Sequence, residues 1–462
     1  MLQTSNKIHF TSLGCARNLV DTEVMMGLVL QAGFEIVPRV EEADFLVVNT
    51  CGFLAESRAE SCATIDQLLK EKKKGAKLIV AGCMVQKHKQ EISDKFPDIH
   101  YFLGSGDMEK VLDAVRSASP GEAVTSAKSF LQWGEIPRLT STPRHYAYLK
   151  IAEGCAKRCA FCIIPTIKGQ LRSKSVEQVV KEFKALLAQG TFEVILIAQD
   201  LGDYAKERQE KNGLESLLKE MLKVEKKFWL RLLYLYPDEI TDELIALIKS
   251  DSRICPYLDM PIQHINDTML KAMRRKTNKQ QIIQTIEKLR KEVPDIVIRT
   301  SLMVGFPGET EEQFEELVKF VKEYPLDNVG IFKFSKEEGA SAAKFADQIP
   351  DEIKEKRYQK LAQVQMEQVA KRNKRFVGKK LQVMVEGYHP ETQLLMRGRF
   401  HGQCPEIDGQ VIINDGRKVS AFGELYEVEI TEAHGYDLVG RVVKALGGES
   451  VAAPKKAKLA LV

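Results

Sequence analysis

Apolar and polar residues alternate in blocks along the chain, and the block lengths predict its elements. Ile8–Leu13, Asp44–Val48 and Leu78–Ala81 are short apolar runs of strand length. Between them, residues 18–32 and 55–73 carry apolar positions at helical spacing. This βα alternation predicts an open parallel α/β domain over residues 8–125. Residues 125–145, with Gly134, Pro137 and Pro143 among Ser and Thr, read as a linker. A second alternation follows. Candidate strands are Tyr146–Ala152, Glu193–Ala198, Trp229–Leu235, Tyr257–Pro261, Ile296–Val304 and Val329–Phe334, with amphipathic stretches such as Leu214–Val224 and Glu311–Lys322 between them. Six such units predict a partial (β/α)6 barrel over residues 141–370, and the pattern from Pro350 to Arg375 is a long charged helix. Beyond Gly378, five short strands within residues 374–445 predict a small antiparallel β-barrel. The fold class is therefore α/β with a C-terminal β-barrel. Pro454–Lys458 reads as a disordered tail.

Composition narrows the function classes. The chain has 462 residues, 44% of them apolar and 29% charged, the balance of a globular protein. A net charge of +4 does not point to DNA, and we expect none as a partner. No apolar run approaches the ~18 residues of a membrane span. No basic stretch followed by an apolar run opens the chain, so the expected location is cytoplasmic, with no membrane partner.

Nine cysteines in scattered positions do not form a disulfide framework; in a reducing compartment they read as buried, metal-bound or catalytic. Cys155, Cys159 and Cys162 form C-x3-C-x2-C just after the first barrel strand. Three thiolates at a strand's C-terminal end suit a metal, and a structural zinc would need a fourth protein ligand that is not nearby in sequence. Three ligands on a [4Fe–4S] cubane leave one iron open. Cys15, Cys51 and Cys83 each follow a strand of the first domain. In a parallel sheet all strand C-termini share one edge, so these thiols can converge although they are more than 30 residues apart. Burial in the core is the competing reading, because free cysteine is often buried. Cys62 lies at helical spacing with Ile65 and Leu69 and reads as core. Cys255 and Cys404 are isolated. Lys70–Lys77 and Lys371–Arg375 read as solvated helix ends, and Gly104-Ser105-Gly106 as a turn.

The C-x3-C-x2-C set resembles the radical S-adenosylmethionine family. Together with the N-terminal trio and a TRAM-like closing barrel, it is similar to the methylthiotransferases. Further resemblance lies in Cys162-Ile163-Ile164-Pro165 followed by Arg172-Ser173, and in Val304-Gly305-Phe306-Pro307-Gly308-Glu309-Thr310. Lys168 stands where that family usually carries Arg, which keeps the charge. The resemblance implies two [4Fe–4S] clusters, S-adenosyl-L-methionine as cofactor and methyl donor, and an electron donor. It implies metal ligation by Cys15, Cys51, Cys83, Cys155, Cys159 and Cys162. Gln199, Asp200 and Gln263, at barrel strand ends, are the candidate cofactor-binding residues, with ordinary loop-satisfying roles as the alternative. No catalytic side chain is assigned.

Two branches of the family differ in substrate: an aspartate β-carbon of a small-subunit ribosomal protein, or a modified adenosine of transfer RNA. Ser12-Leu13-Gly14-Cys15-Ala16-Arg17-Asn18-Leu19-Val20-Asp21 resembles the first, and Pro405-Glu406-Ile407-Asp408-Gly409 resembles it more weakly. Residues 376–444 carry 8 basic and 10 acidic side chains. A slightly acidic barrel favours a basic ribosomal protein, or the ribosome that holds it, over RNA.

Overall fold

The computed structural model describes residues 6–125 and 137–447, and the backbone of 460–461. Much of the expected linker and the residues of the expected tail lie outside these. No helix among the described residues is long and apolar enough to cross a membrane.

The first unit is a six-stranded parallel sheet. Its centre is β1 (Lys7–Ser12), β2 (Phe45–Thr50), β3 (Lys77–Gly82) and β4 (Ile99–Gly104), with Glu35–Ile36 and Gly121–Ala123 at the edges. Helices α1 (Ala16–Gln31), α2 (Ala55–Glu71) and α3 (Cys83–Lys95) connect the central strands. β2 is buried at every residue, because helices cover both faces of the sheet. β4 escaped the sequence reading, since His100 and Tyr101 interrupt its apolar run.

The second unit has six parallel strands in sequence order: β5 (Tyr146–Lys150), β6 (Glu193–Ile197), β7 (Trp229–Leu232), β8 (Ile254–Asp259), β9 (Val297–Val304) and β10 (Asn328–Lys333). It is an open barrel. Ser175 with Gln178, Asn278 with Gln281 and Thr310 with Gln313 form capping boxes that start three of its outer helices. Outward side chains such as Leu149, Leu196 and Leu258 pack under those helices and under α4 (Asp351–Asn373), which brings Leu361 and Val364. Inward side chains form a different core. Tyr146, Tyr148, Ile195, Ile197, Trp229 and Tyr257 pack against Val20 of α1 on one side and against Met384 and Cys404 of the C-terminal unit on the other.

That last unit is a closed five-stranded barrel of β11 (Lys380–His389), β12 (Thr392–Phe400), β13 (Val411–Asp415), β14 (Glu424–His434) and β15 (Asp437–Ala445). The expected all-antiparallel pairing needs one correction. β13 runs parallel to β15, and that pairing closes the ring.

Buried ion pairs join the units. Lys150 and Lys168 both bind the Asp21 carboxylate, Lys168 at 3.1 Å, and both bind Glu153, at 3.3 and 2.8 Å. Arg138 bonds Glu23 of α1 through Nε at 2.8 Å, Glu182 through Nη1 at 2.8 Å and the Tyr148 carbonyl through Nη2 at 2.7 Å. Arg138 falls in the stretch expected as linker, yet it is 1% exposed. At the other end, Glu193 receives Arg231 at 2.5 Å and Arg399 at 2.8 Å, and Tyr257 donates to Asp408 at 2.7 Å.

Replacing Arg138 by Met would leave Glu23 buried without its cation and Glu182 with Lys174 alone. The expected cost is about 3–5 kcal/mol, read from urea unfolding. A loss below about 1 kcal/mol would show that these carboxylates re-solvate without moving α1.

Candidate metal and cofactor site

The N-terminal trio is built from strand ends. Cys15 is the residue before α1, Cys51 follows β2, and Cys83 opens α3 directly after β3. Because the strands are parallel, all three reach the same sheet edge. Asn18 ties their loops together. Its Nδ2 donates to the Leu13 and Thr50 carbonyls, each at 3.1 Å, and its Oδ1 lies 3.5 Å from Cys83 Sγ. Asn49 Nδ2 in turn donates to the Asn18 carbonyl at 2.9 Å. Gly14 has φ of +87°, and a Cβ there would stand 2.8 Å from Cys51 Cβ. A side chain at that position would push Cys15 and Cys51 apart.

The second trio lies on the loop after β5. Backbone N–H groups point at its sulfurs: Lys157 N at 3.4 Å from Cys155 Sγ and Ile164 N at 3.5 Å from Cys162 Sγ. Tyr236 Oη lies 3.3 Å from Cys159 Sγ, and Arg275 Nη1 donates to the same sulfur at 3.7 Å. Such donors stabilise negative charge on sulfur.

All six thiols are free. In neither trio do all three sulfurs lie within 4.8 Å of one another among the described residues. A single tetrahedral zinc, with Zn–S of about 2.3 Å, would draw its thiolates to about 3.8 Å apart. Each trio is also one ligand short of the four that a structural zinc takes. Burial raises Cys155 to about 11, Cys162 to about 12 and Cys83 to about 12, and it also raises Cys51. Burial also pushes Cys15 up, but the Arg17 charge and the backbone N–H groups of Asn18 and Arg17 outweigh it and leave the thiol below its ordinary value.

The two trios face each other. Cys83 packs in one small apolar cluster with Ile163 and Ile167, immediately beyond Cys162, and Phe53 and Ala340 cover it. Arg17 lies between them. Its Nη1 donates to the Ala198 carbonyl at 2.7 Å, its guanidinium sits 5.2 Å from the Tyr234 ring centre, and its charge acts on Cys15, Cys83 and Cys162.

The three expected cofactor residues differ in their surroundings. The Gln199 amide is buried with neither Nε2 nor Oε1 bonded, as for a polar group aimed at a ligand. Gln263 sits at φ +70°, a left-handed backbone that a side chain rarely adopts, and its main chain bridges to Ser301 and Met303 at 2.8 and 2.7 Å. Asp200 is engaged: Lys157 Nζ binds it and the Gly202 N–H donates to it at 3.0 Å. Burial, only partly offset by Lys157, raises Asp200 to about 6. Asp203 and Glu239 also surround Lys157, at 3.4 and 3.3 Å, so this acidic group holds an ammonium.

Sequence reasoning passed over Arg17, Tyr234, Tyr236, Lys157 and Arg275. Lys157 lay inside the C-x3-C loop and Tyr234 and Tyr236 just past a barrel strand, signals that position alone offered. Arg17 lay within the quoted Ser12–Asp21 motif, two residues from Cys15, and Arg275 carried no signal of its own. Cys62 is half-buried against the core, and Cys255 and Cys404 lie in the inward core of the barrel.

Comparison with known proteins accords with this geometry. The model of uncharacterized protein family UPF0004 matches residues 7–104, the radical SAM superfamily model residues 149–321, and the TRAM domain model residues 377–443. The chain is 64% identical to the ribosomal protein uS12 methylthiotransferase RimO of Protochlamydia amoebophila, over 95% of this chain and 93% of that one. It is 56% identical to the protein of that name from Chlamydia caviae, over 96% and 97%. For the one from Geobacter sulfurreducens the figures are 42%, over 96% and 100%. Among solved structures, the radical S-adenosylmethionine methyltransferase TsrM of Kitasatospora setae shares the fold. Its TM-score is 0.54 at 16% identity, covering 71% of this chain and 75% of that one.

Replacing Asn18 by Ala would leave the buried Thr50 carbonyl without its side-chain donor, at a cost of about 1–3 kcal/mol. Faster amide exchange is expected at Gly14, Cys51 and Cys83 together. Acceleration confined to one loop would show that Asn18 does not tie the three.

Proposed function

The chain belongs to the RimO family of ribosomal protein uS12 methylthiotransferases, and from that premise we propose that it places a methylthio group on the β-carbon of an aspartate of ribosomal protein uS12. Its radical SAM unit works with a [4Fe–4S] cluster and S-adenosylmethionine. We further propose a second cluster at the N-terminal trio. The observation that carries this reading is the meeting of two cysteine trios, from two parallel sheets, on either side of Arg17.

Cys155, Cys159 and Cys162 would hold one cluster, and Cys15, Cys51 and Cys83 the other. When bound, these groups supply the electron that cleaves the sulfonium of S-adenosylmethionine, the fragment that removes hydrogen from carbon, and the site that carries sulfur. The chain's own residues position and shield them. Tyr236 and Arg275 hold charge on Cys159, which tunes the potential there. Gln199 offers an unpaired amide to a polar ligand, and Gln263 is fixed at φ +70° beyond β8, two strands away along the same sheet. Arg17 places a fixed positive charge where an anionic sulfur species would pass from one trio to the other. Phe53, Ile163, Ile167 and Ala340 keep water from the space next to Cys83. Proximity is the economy of this design, since transfer happens within one fixed chamber. An electron donor and the uS12-bearing ribosome complete the list of partners.

Two measurements test this. Anaerobically prepared protein is expected to hold about eight irons, falling to about four in a Cys15→Ala, Cys51→Ala, Cys83→Ala variant; no fall removes the N-terminal cluster. In cells lacking the gene, mass spectrometry is expected to find uS12 without its methylthio group. Loss from transfer RNA with uS12 unchanged would move the chain to the adenosine-modifying branch.

A further inference from the structure

Beside the cysteine loop lies a cavity of about 520 Å³ whose outer rim has no role in the chemistry above. Ala156, Lys157, Arg158 and Cys159 form one wall, and Tyr236 and Arg275 form part of another. None of Gln199, Asp200 or Gln263 lines it. Of residues 155–163, Ala156 and Arg158 are the exposed ones, and both border this cavity. The cysteine loop therefore reaches solvent on this side. Tyr236 and Arg275 also touch Cys159 Sγ, at 3.3 and 3.7 Å, so the cavity wall is in direct contact with a ligand sulfur.

The charge around this opening is uneven. Six cationic and three anionic side chains line it. Three of the cations are already engaged: Lys157 with Asp200, Lys206 with Glu239, and Arg275 stacked 3.8 Å from the Tyr236 ring centre. Arg158, Arg274 and Lys276 are exposed and have no ion-pair partner among the described residues. Asp238 is the one lining carboxylate in the same condition. Arg274 adopts φ +57°, a left-handed turn after the helix Asp267–Ala272. Residues on either side of it divide: Arg275 is buried against Tyr236, while Arg274 and Lys276 stay on the rim.

We propose that this rim is the landing surface for a small acidic protein that carries single electrons. The proposal rests on the cluster at Cys155, Cys159 and Cys162 and names the route by which that cluster is reduced. One electron leaves the carrier's redox group, which is oxidised by one unit, and enters the cluster, which is reduced by one; no covalent bond forms or breaks. A transient redox encounter needs little buried area but does need complementary charge to steer it. The lone cations supply that charge around a cavity whose wall, through Tyr236 and Arg275, touches the Cys159 sulfur. Asp203, Glu207 and Asp238 lie among them, which suits the mixed surface of a protein better than the uniform phosphates of RNA.

The test uses the anaerobic full-length protein and a reduced acidic [2Fe–2S] ferredoxin. Arg158→Glu, Arg274→Glu and Lys276→Glu are combined, with Arg274→Gln, Lys276→Gln as a milder second variant. Ferredoxin binding is expected to weaken at least tenfold in the triple variant and severalfold in the double one, with a flatter dependence on salt. The rate at which ferredoxin bleaches the cluster should fall by the same factor. Bleaching by photoreduced 5-deazariboflavin, a small neutral reductant, should be unchanged. Unaltered ferredoxin binding and rate overturn the docking surface. So does a loss of ribosomal RNA binding with ferredoxin unaffected, which would reassign the rim to nucleic acid. Failure of both reductants to bleach wild-type protein would instead overturn the cluster reading beneath the proposal.

Discussion

Asp21 sits on α1 with no exposure to solvent, and two lysines of the neighbouring barrel satisfy it. A carboxylate in that position is tolerable only while both cations stay in place, since an unpaired buried charge costs several kcal/mol. The register of α1 against the barrel is thereby set from within. Every other feature of the site inherits that register. α1 begins at Cys15, so the clamp that fixes Asp21 also fixes the first thiol, and Arg17 two residues on, relative to the cysteine loop of the barrel. Lys168 ends the short helix that follows Cys162, so the same ion cluster grips the second trio from behind.

The open barrel explains why such a clamp is needed. Six strands do not close, and their concave face would expose Tyr146, Tyr148, Trp229 and Tyr257. α1 covers part of that face and the small terminal barrel covers another part. Packing of two foreign units into one core joins metal-site geometry to global stability. Two residues just past barrel strands carry left-handed backbone, Tyr234 at φ +64° and Gln263 at φ +70°.

Architecture was legible in the sequence because each layer has its own period. Continuous apolar runs marked strands covered on both faces, and all six barrel strands fall within a few residues of their expected bounds. The N-terminal trio was legible because parallel topology brings strand-end cysteines to one edge, and the barrel trio because its cysteines are close in sequence. Other features arise from tertiary contact and leave no local trace. Arg138 looked like linker because its partners, Glu23 and Glu182, lie 115 and 44 residues away. The charge count of the terminal barrel misleads for the same reason. Arg399, Glu386 and Asp408 are turned inward against the central barrel, which leaves seven basic against eight acidic residues to face a partner. That near balance no longer separates a ribosomal protein from RNA; the relatives do. The Asp408 of the Pro405–Gly409 motif serves this contact, receiving Tyr257 and the Cys404 N–H.

α1 is buried on both sides, and the order of synthesis gives that fact a cost. The ribosome delivers the first sheet well before β5 and β6, the strands that cover Val20, Asp21 and Glu23 from the other side. Until Arg138, Lys150 and Lys168 have emerged, the nascent unit must carry an apolar stripe next to two unpaired carboxylates, Asp21 and Glu23. Such a half-made surface attracts chaperones and neighbouring chains. Slow passage through the segment before Tyr146 would therefore harm the yield of this protein more than pauses later in the message.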